Sequence, residues 1–307
     1  MAVYDNVHEL VGRTPLVALH AFPLPKGVRL YAKCEYFNPG GSVKDRLGET
    51  IIREAMHSGK LKPGGTLIEP TAGNTGIGLA LAAVGKGIDV LFCVPEKFSV
   101  EKQTLMKALG ARVIKTPSDQ GMAGAIKKAK ELEQSIKNSY CPNQFANPNN
   151  PKTYFETLGP ELWEDLHGSL DVLVAGAGSG GTFTGTADYL KKRNPKIKTV
   201  VVEPVGSILN GGARWNIELR ELAWNSFLLS SKPSILMKFI QYLMKMHSND
   251  SKKRLLLKAY SLAVHRDRRF TRLCSRRKKR NQGQRLSLFS LIPVNAILVN
   301  ASMNLKY

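Results

Sequence analysis

Three glycine-rich loops carry the residue types that could do chemistry. The first, Asn38–Lys44 (NPGGSVK), sets a lysine just inside a helix start, behind Ser42 as a candidate N-cap. The positive end of a helix dipole disfavours an ammonium there, and a neutral amine is what attack on a carbonyl requires. A solvated surface lysine is the competing reading. The second loop, Glu69–Gly78 (EPTAGNTGIG), offers hydroxyls and backbone N–H groups at a helix start, a cradle for an anion. An ordinary tight turn between strand and helix competes with it. The third, Gly176–Thr182 (GAGSGGT), follows the apolar run Val172–Ala175 and lets backbone approach a phosphate closely. A dinucleotide site competes here, but the spacing is not GxGxxG and no P-loop lysine follows.

Taken together, the loops supply an amine, a carboxylate cradle and a phosphate cradle. That set suits an amino acid held on a phosphorylated aldehyde cofactor, with the cofactor as electron sink and the protein as binder and orienter.

The elements that must position these loops are strands alternating with helices. Candidate strands are Leu30–Cys34, Thr66–Glu69, Asp89–Val94, Arg112–Lys115, Val172–Ala175 and Lys198–Val202. Candidate helices are Val43–His57, Thr75–Val84, Val100–Leu109 and Ala123–Ile136. This rhythm predicts an α/β fold of parallel-type sheets flanked by helices, with ligands at the carboxyl ends of strands. Asn147–Pro151 (NPNNP) reads as a loop. After Gly212 the rhythm stops. Ser234–Met246 reads as a helix, Arg276–Arg280 (RRKKR) as a bare charge run, and Leu291–Val299 as an apolar, β-prone segment outside any βα unit.

Composition changes at the same place. Residues 1–212 hold 25 Lys/Arg against 20 Asp/Glu, whereas residues 213–307 hold 20 against 4, so most of the +21 charge belongs to the tail. Of 27 glycines only Gly283 lies there. A nucleic-acid-binding tail is one explanation, but the charge run lacks interleaved aromatics. No run of 18 apolar residues is present and the N-terminus lacks an apolar signal core, so neither a membrane helix nor a secretory signal is expected. Cys34, Cys93, Cys141 and Cys274 show no CxxC pairing, which suits free thiols in the cytoplasm. The histidines show no metal-ligand spacing, and no metal is expected.

VGRTPLV (Val11–Val17), NPGGSVKDR (Asn38–Arg46), EPTAGNTGIGLA (Glu69–Ala80), NQFANPNNP (Asn143–Pro151), AGAGSGGTFTG (Ala175–Gly185) and VEPVGSILNGG (Val202–Gly212) occur in this order. In these motifs the chain resembles the fold-type II pyridoxal-phosphate (PLP) enzymes, the cysteine synthase and cystathionine β-synthase family, over residues 3–212. The resemblance implies two domains: a smaller one at 41–149 with the lysine and carboxylate loops, and a larger one from 1–40 and 150–212 that holds the cofactor's phosphate. It implies that Lys44 holds PLP as a Schiff base and is the catalytic residue, and that Asn74 bonds the ring oxygen. Gly178, Ser179, Gly180, Gly181 and Thr182 would wrap the phosphate. Thr71, Ala72, Asn74, Thr75 and Gln144 would take the substrate carboxylate. The implied reaction is β-replacement on O-acetylserine, in a homodimer acting on small amino acids. Ala72 and the VPEKFSVEKQ stretch resemble the O-acetylserine-dependent cystathionine β-synthases, with homocysteine as the thiol; cysteine synthase, using sulfide, is the alternative.

The resemblance ends at Gly212. The family continues with a TEGIG segment and a serine-rich loop whose serine bonds the pyridine nitrogen, and neither follows here. A frame beginning at the third base of each codon permits RTEGIGME from Ile217–Asn225, GLLVGSSSGSAFHAS from Lys258–Leu273 and FPDSSERYLSK from Phe289–Asn300. A frameshift between Gly212 and Ile217 is therefore expected, leaving the larger domain incomplete with open sheet edges. An inactive chain that still binds PLP and a non-catalytic basic-tailed protein are the other function classes.

Overall fold

The structure is a computed structural model that describes residues 3–20, 27–71, 73–202 and, as backbone, the strand 296–301. Its elements run β1 (Leu16–Ala18), β2 (Val28–Lys33), α1 (Lys44–His57), β3 (Thr66–Pro70), α2 (Asn74–Ala83), β4 (Asp89–Pro95), α3 (Val100–Ala108) and β5 (Arg112–Thr116). They continue α4 (Gly121–Ser135), β6 (Ser139–Tyr140), α5 (Asn149–Glu156), α6 (Leu158–Asp165), β7 (Val172–Gly176), α7 (Gly181–Arg193), β8 (Lys198–Val202) and β9 (Ala296–Ala301).

Short runs with apolar centres become strands buried on both faces. β3 is buried along its whole length, as a parallel strand between helix layers must be. It lies inside a four-stranded sheet ordered β5-β4-β3-β6, with every pairing parallel. The second sheet is ordered β1-β2-β9-β7-β8 and is mixed. Only β7 and β8 pair in parallel; β1–β2, β2–β9 and β7–β9 are antiparallel. Only nine residues separate β1 from β2, fewer than the crossover that parallel pairing would need.

Two departures from the sequence reading concern helix starts. NPNNP is not wholly a loop: α5 begins at Asn149 within it, with Pro148 at the N-cap. Pro151 falls in the first turn, where a missing N–H breaks no helical bond. Ser42 is not the N-cap of α1; Val43 is, without a capping side chain. The Ser42 hydroxyl still accepts the Lys44 N–H at 3.2 Å. β1, β6 and α6 were not anticipated from pattern. Ser234–Met246 and Arg276–Arg280 lie outside the described residues, as does the part of Leu291–Val299 before Ala296.

Helix α1 carries Leu47, Ile51, Ile52 and Ala55 into the main core, together with Leu67, Leu79, Phe92 and Leu158. Its contact with α2 is backbone to backbone. A Cβ on Gly48 would overlap the Gly78 carbonyl, and one on Gly78 would overlap the Lys44 carbonyl. The crossing therefore fixes where Lys44 leaves its helix. Gly78→Ala should destabilise the fold by about 1–3 kcal/mol, the usual cost of overpacking a close contact; a denaturant midpoint shifted down at constant m-value would show it.

Candidate active site

Lys44 opens α1, between the core residues Val43 and Leu47. Its Nζ donates to Ser179 Oγ at 3.2 Å and stands 5.9 Å from the centroid of the Tyr154 ring. The Tyr154 hydroxyl in turn reaches the Val43 carbonyl at 3.5 Å. Burial pulls the Lys44 amine down to about 8, with Glu69 opposing the shift. A neutral amine is the nucleophile and lies on the alkaline side of that value. Capture of an aldehyde by this chain should accelerate as pH rises and level off above about 8 rather than near the usual 10.5; stopped-flow absorbance across pH 6–10 would read this.

The second loop leaves the carboxyl end of β3 and enters α2. Thr71 is buried, and its N–H donates to the Cys93 carbonyl at 3.2 Å, tying the loop to β4. Asn74 and Thr75 open α2. The Thr75 hydroxyl donates to Gln144 Oε1 at 2.8 Å, so two residues 69 apart in sequence meet as a pair. Gln144 is held from below by Glu69. That carboxylate accepts the N–H of Asn143 at 3.0 Å and of Gln144 at 3.2 Å. Asn143 adopts a left-handed φ of 49° there, a conformation asparagine tolerates better than most residues. Glu69 is fully buried, and burial pushes it up to about 7 against the pull of the two backbone donors and Lys44. Ala72 lies outside the described residues.

The third loop leaves the carboxyl end of β7. Gly180 takes φ 83° and caps α7 without any side-chain bond, which leaves the first N–H groups of α7 directed at the loop. Helix α7 then packs on α5 through glycines. A Cβ on Gly181 would overlap Asn150 Oδ1, and one on Gly185 would overlap the Pro151 carbonyl. Gly178, Ser179 and Thr182 are partly exposed, and Thr182 is hydrogen-bonded with Tyr154. The lysine, the carboxylate loop and the glycine loop thus face one another, as strand ends in an α/β sheet allow.

A family profile described as pyridoxal-phosphate dependent enzyme matches residues 7–223. The chain belongs to that family. Its members use pyridoxal 5'-phosphate, and this chain is a PLP-dependent synthase by that membership. Among known proteins it is 62% identical over 212 residues to an O-acetylserine-dependent cystathionine β-synthase of Bacillus subtilis, covering 69% of each chain. It is 54% identical over 214 residues to a cysteine synthase of Helicobacter pylori, covering 69% of this chain and 70% of that one. A crystal structure of O-acetylserine-dependent cystathionine β-synthase from Helicobacter pylori superposes with a TM-score of 0.73 at 48% identity, over 77% of this chain and 79% of that one. The residues present fit the cofactor. An anion has an uncapped helix start whose glycine at 181 admits no Cβ, and an aldehyde has a partly desolvated amine within hydrogen-bond reach of that loop.

Three contributors escaped the motif reading as individual residues: Glu69, Asn150 and Tyr154. Asn150 and Tyr154 are four apart, which puts them on one face of a helix. That signal is masked in the sequence because NPNNP has the composition of a loop. Among the described residues no helix is long and apolar enough to cross a membrane, and no group of three His, Cys, Asp or Glu could hold a metal.

Proposed function

We propose that the chain replaces the acetate of O-acetylserine with a thiol, and that the thiol is homocysteine. The observation that carries this is the Lys44–Ser179 contact, with Asn150 joining Ser179 to the backbone of Gln144, the residue paired with Thr75. When bound, the cofactor supplies the electron sink for the bond cleavages at Cα and Cβ. Gly178, Ser179, Gly180, Gly181 and Thr182 bind its phosphate through the start of α7, and Asn74 bonds its ring oxygen. Thr71, Ala72, Asn74, Thr75 and Gln144 bind the substrate carboxylate and orient the α-hydrogen toward Lys44. Lys44 Nζ would take that proton; acetate would leave Cβ with its bonding electrons; the thiol would lose its S–H proton to solvent and bond through sulfur to Cβ; and Lys44 would return its proton to Cα.

The homocysteine reading is supported by the 62% identity to the Bacillus subtilis protein and by a solved relative at 64% identity, a cystathionine β-synthase from Bacillus anthracis with TM-score 0.59 over 67% of this chain and 78% of that one. Sulfide is the second reading, favoured by the identity to the Helicobacter pylori cysteine synthase. Initial rates with O-acetylserine and each acceptor separate them. Cystathionine formed at higher kcat/KM than cysteine supports the first, and the reverse order supports the second.

The division at 41–149 against 1–40 and 150–212, and a homodimer in the cytoplasm, complete the proposal. The out-of-frame origin of residues 213–307 belongs to it too; it is supported by the curated similarity spanning 212 residues, 69% of this chain, and by the family profile ending at residue 223. Coding DNA read across codons 205–225 tests it: a one- or two-base offset relative to close relatives supports it, and an intact shared frame removes it.

A further inference from the structure

Asn150 is 2% exposed and lies on the first turn of α5. Its Nδ2 spends both hydrogens, one on the Gln144 carbonyl at 2.9 Å and one on Ser179 Oγ at 3.0 Å. The carbonyl fixes the orientation of the amide, because a flipped side chain would set two oxygens against each other. Asn150 Oδ1 has no hydrogen-bond partner among the described residues and faces Gly181.

The consequence falls on Ser179. Its oxygen has two lone pairs. One accepts from Lys44 Nζ and the other from Asn150 Nδ2. The Asn150 bond does not depend on Lys44, whose nitrogen an aldehyde would take up, and with that amide donor on the oxygen the hydroxyl proton is left to donate. The same amide, through the Gln144 carbonyl, sets the height of the residue that pairs with Thr75. One side chain therefore holds the register between the loop that takes the anion and the loop that takes the carboxylate.

We propose that Asn150 is a positioning residue that acts through Ser179, fixing its hydroxyl as a donor to the cofactor's phosphate. The proposal rests on reading the Gly178–Thr182 loop as the phosphate site. Its test compares pyridoxal phosphate with pyridoxal, which lacks the phosphate but keeps the aldehyde, as ligands of the full chain. Dissociation constants are measured for wild type, Asn150→Ala, the equal-sized Asn150→Asp, Ser179→Ala and the Asn150→Ala/Ser179→Ala pair, with the melting temperature of each ligand-free chain as a check on folding. A bond to a charged group carries about tenfold in affinity, so Asn150→Ala should weaken pyridoxal phosphate about tenfold and leave pyridoxal within about twofold. Asn150→Asp, which keeps the shape but cannot donate, should lose at least as much. Adding Asn150→Ala to Ser179→Ala should cost nothing further. Equal losses for both ligands, or losses that add in the double variant, overturn the proposal. A wild-type chain that binds the two ligands equally overturns the phosphate-site reading itself, and shows it before any variant is made.

Discussion

Lys44→Ala should abolish the visible-range absorbance that PLP acquires on wild type and leave the fold intact. Among the described residues the amine is the one lysine nitrogen bonded to Ser179, and it lies beside the Tyr154 ring. Alanine is a better helix former than most residues, and the lysine makes no ion pair among the described residues, so α1 should persist. Catalysis should fall by at least the factor carried by a positioned proton-transfer group, about 10²–10⁴-fold. Absorbance titration of the variant with PLP, alongside circular dichroism, separates loss of the amine from loss of structure. Retained absorbance in a folded variant would mean that another lysine holds the cofactor.

Arg46→Ala should destabilise the chain more than any other charge deletion named here. Arg46 lies two residues beyond Lys44 and points to the opposite side of α1. Its Nε donates to Glu35 Oε2 at 2.7 Å, and its Nη2 donates to Glu35 Oε1 at 2.9 Å and Glu161 Oε2 at 2.8 Å. Glu35 is completely buried. Burial by itself would lower the guanidinium, but the bonds to Glu161 and Glu35 raise it well above its usual range. Burial also works against Glu161, and Arg46 nevertheless holds it down at about 2. The second cation, Lys33, reaches Glu161 at 3.0 Å and Asp165 at 2.8 Å, and among the described residues it forms no ion pair with Glu35 that could replace the arginine. Removing Arg46 strands the buried Glu35 charge, a loss of about 3–5 kcal/mol, which is a large part of an ordinary domain's stability of about 5–15 kcal/mol. Arg46→Lys keeps the charge but not the fork, and should recover only part of the loss. Arg53 supplies the control: its side chain is 56% exposed, and its pairs with Glu54 and Glu156 are worth at most about 1 kcal/mol. Urea unfolding of the three variants would give the order Arg46→Ala, Arg46→Lys, Arg53→Ala from least to most stable.

The two effects meet on one helix. Arg46 clamps α1 to the residues after β2 and to α6, Gly48 and Gly78 set its distance from α2, and Lys44 projects from its first turn. The site is built by fixing that helix on three sides before any ligand arrives.

Much of this was legible in residues alone. The runs Thr66–Glu69, Asp89–Val94 and Val172–Ala175 have apolar centres (Leu67–Ile68, Val90–Val94 and Val172–Ala175), so their strand state followed from composition and their observed ends differ by a residue, but the burial of Glu69 did not. The three loops were legible because glycine clusters after a buried strand have few structural uses. Their meeting was not legible. Nothing in the spacing of Thr75 and Gln144 shows that they share a hydrogen bond, and the roles of single residues came from resemblance rather than pattern. Asn150 escaped because proline-rich punctuation hides a helix that tolerates proline in its first turn. β1 and β6 are three and two residues long, too short for period-two alternation to register. β9 was half visible: Leu291–Val299 has strand composition, but its place between β2 and β7 depends on pairing partners more than a hundred residues away.

The most direct test of the central claim, that Lys44 is the residue that holds the cofactor, is borohydride trapping. The full chain is incubated with PLP, reduced, digested and mapped by mass spectrometry. A pyridoxyl group on the peptide carrying Lys44, absent when inorganic phosphate competes for the Gly178–Thr182 loop, is the predicted result. Labelling spread over the surface lysines, or confined to a lysine other than Lys44, would contradict it.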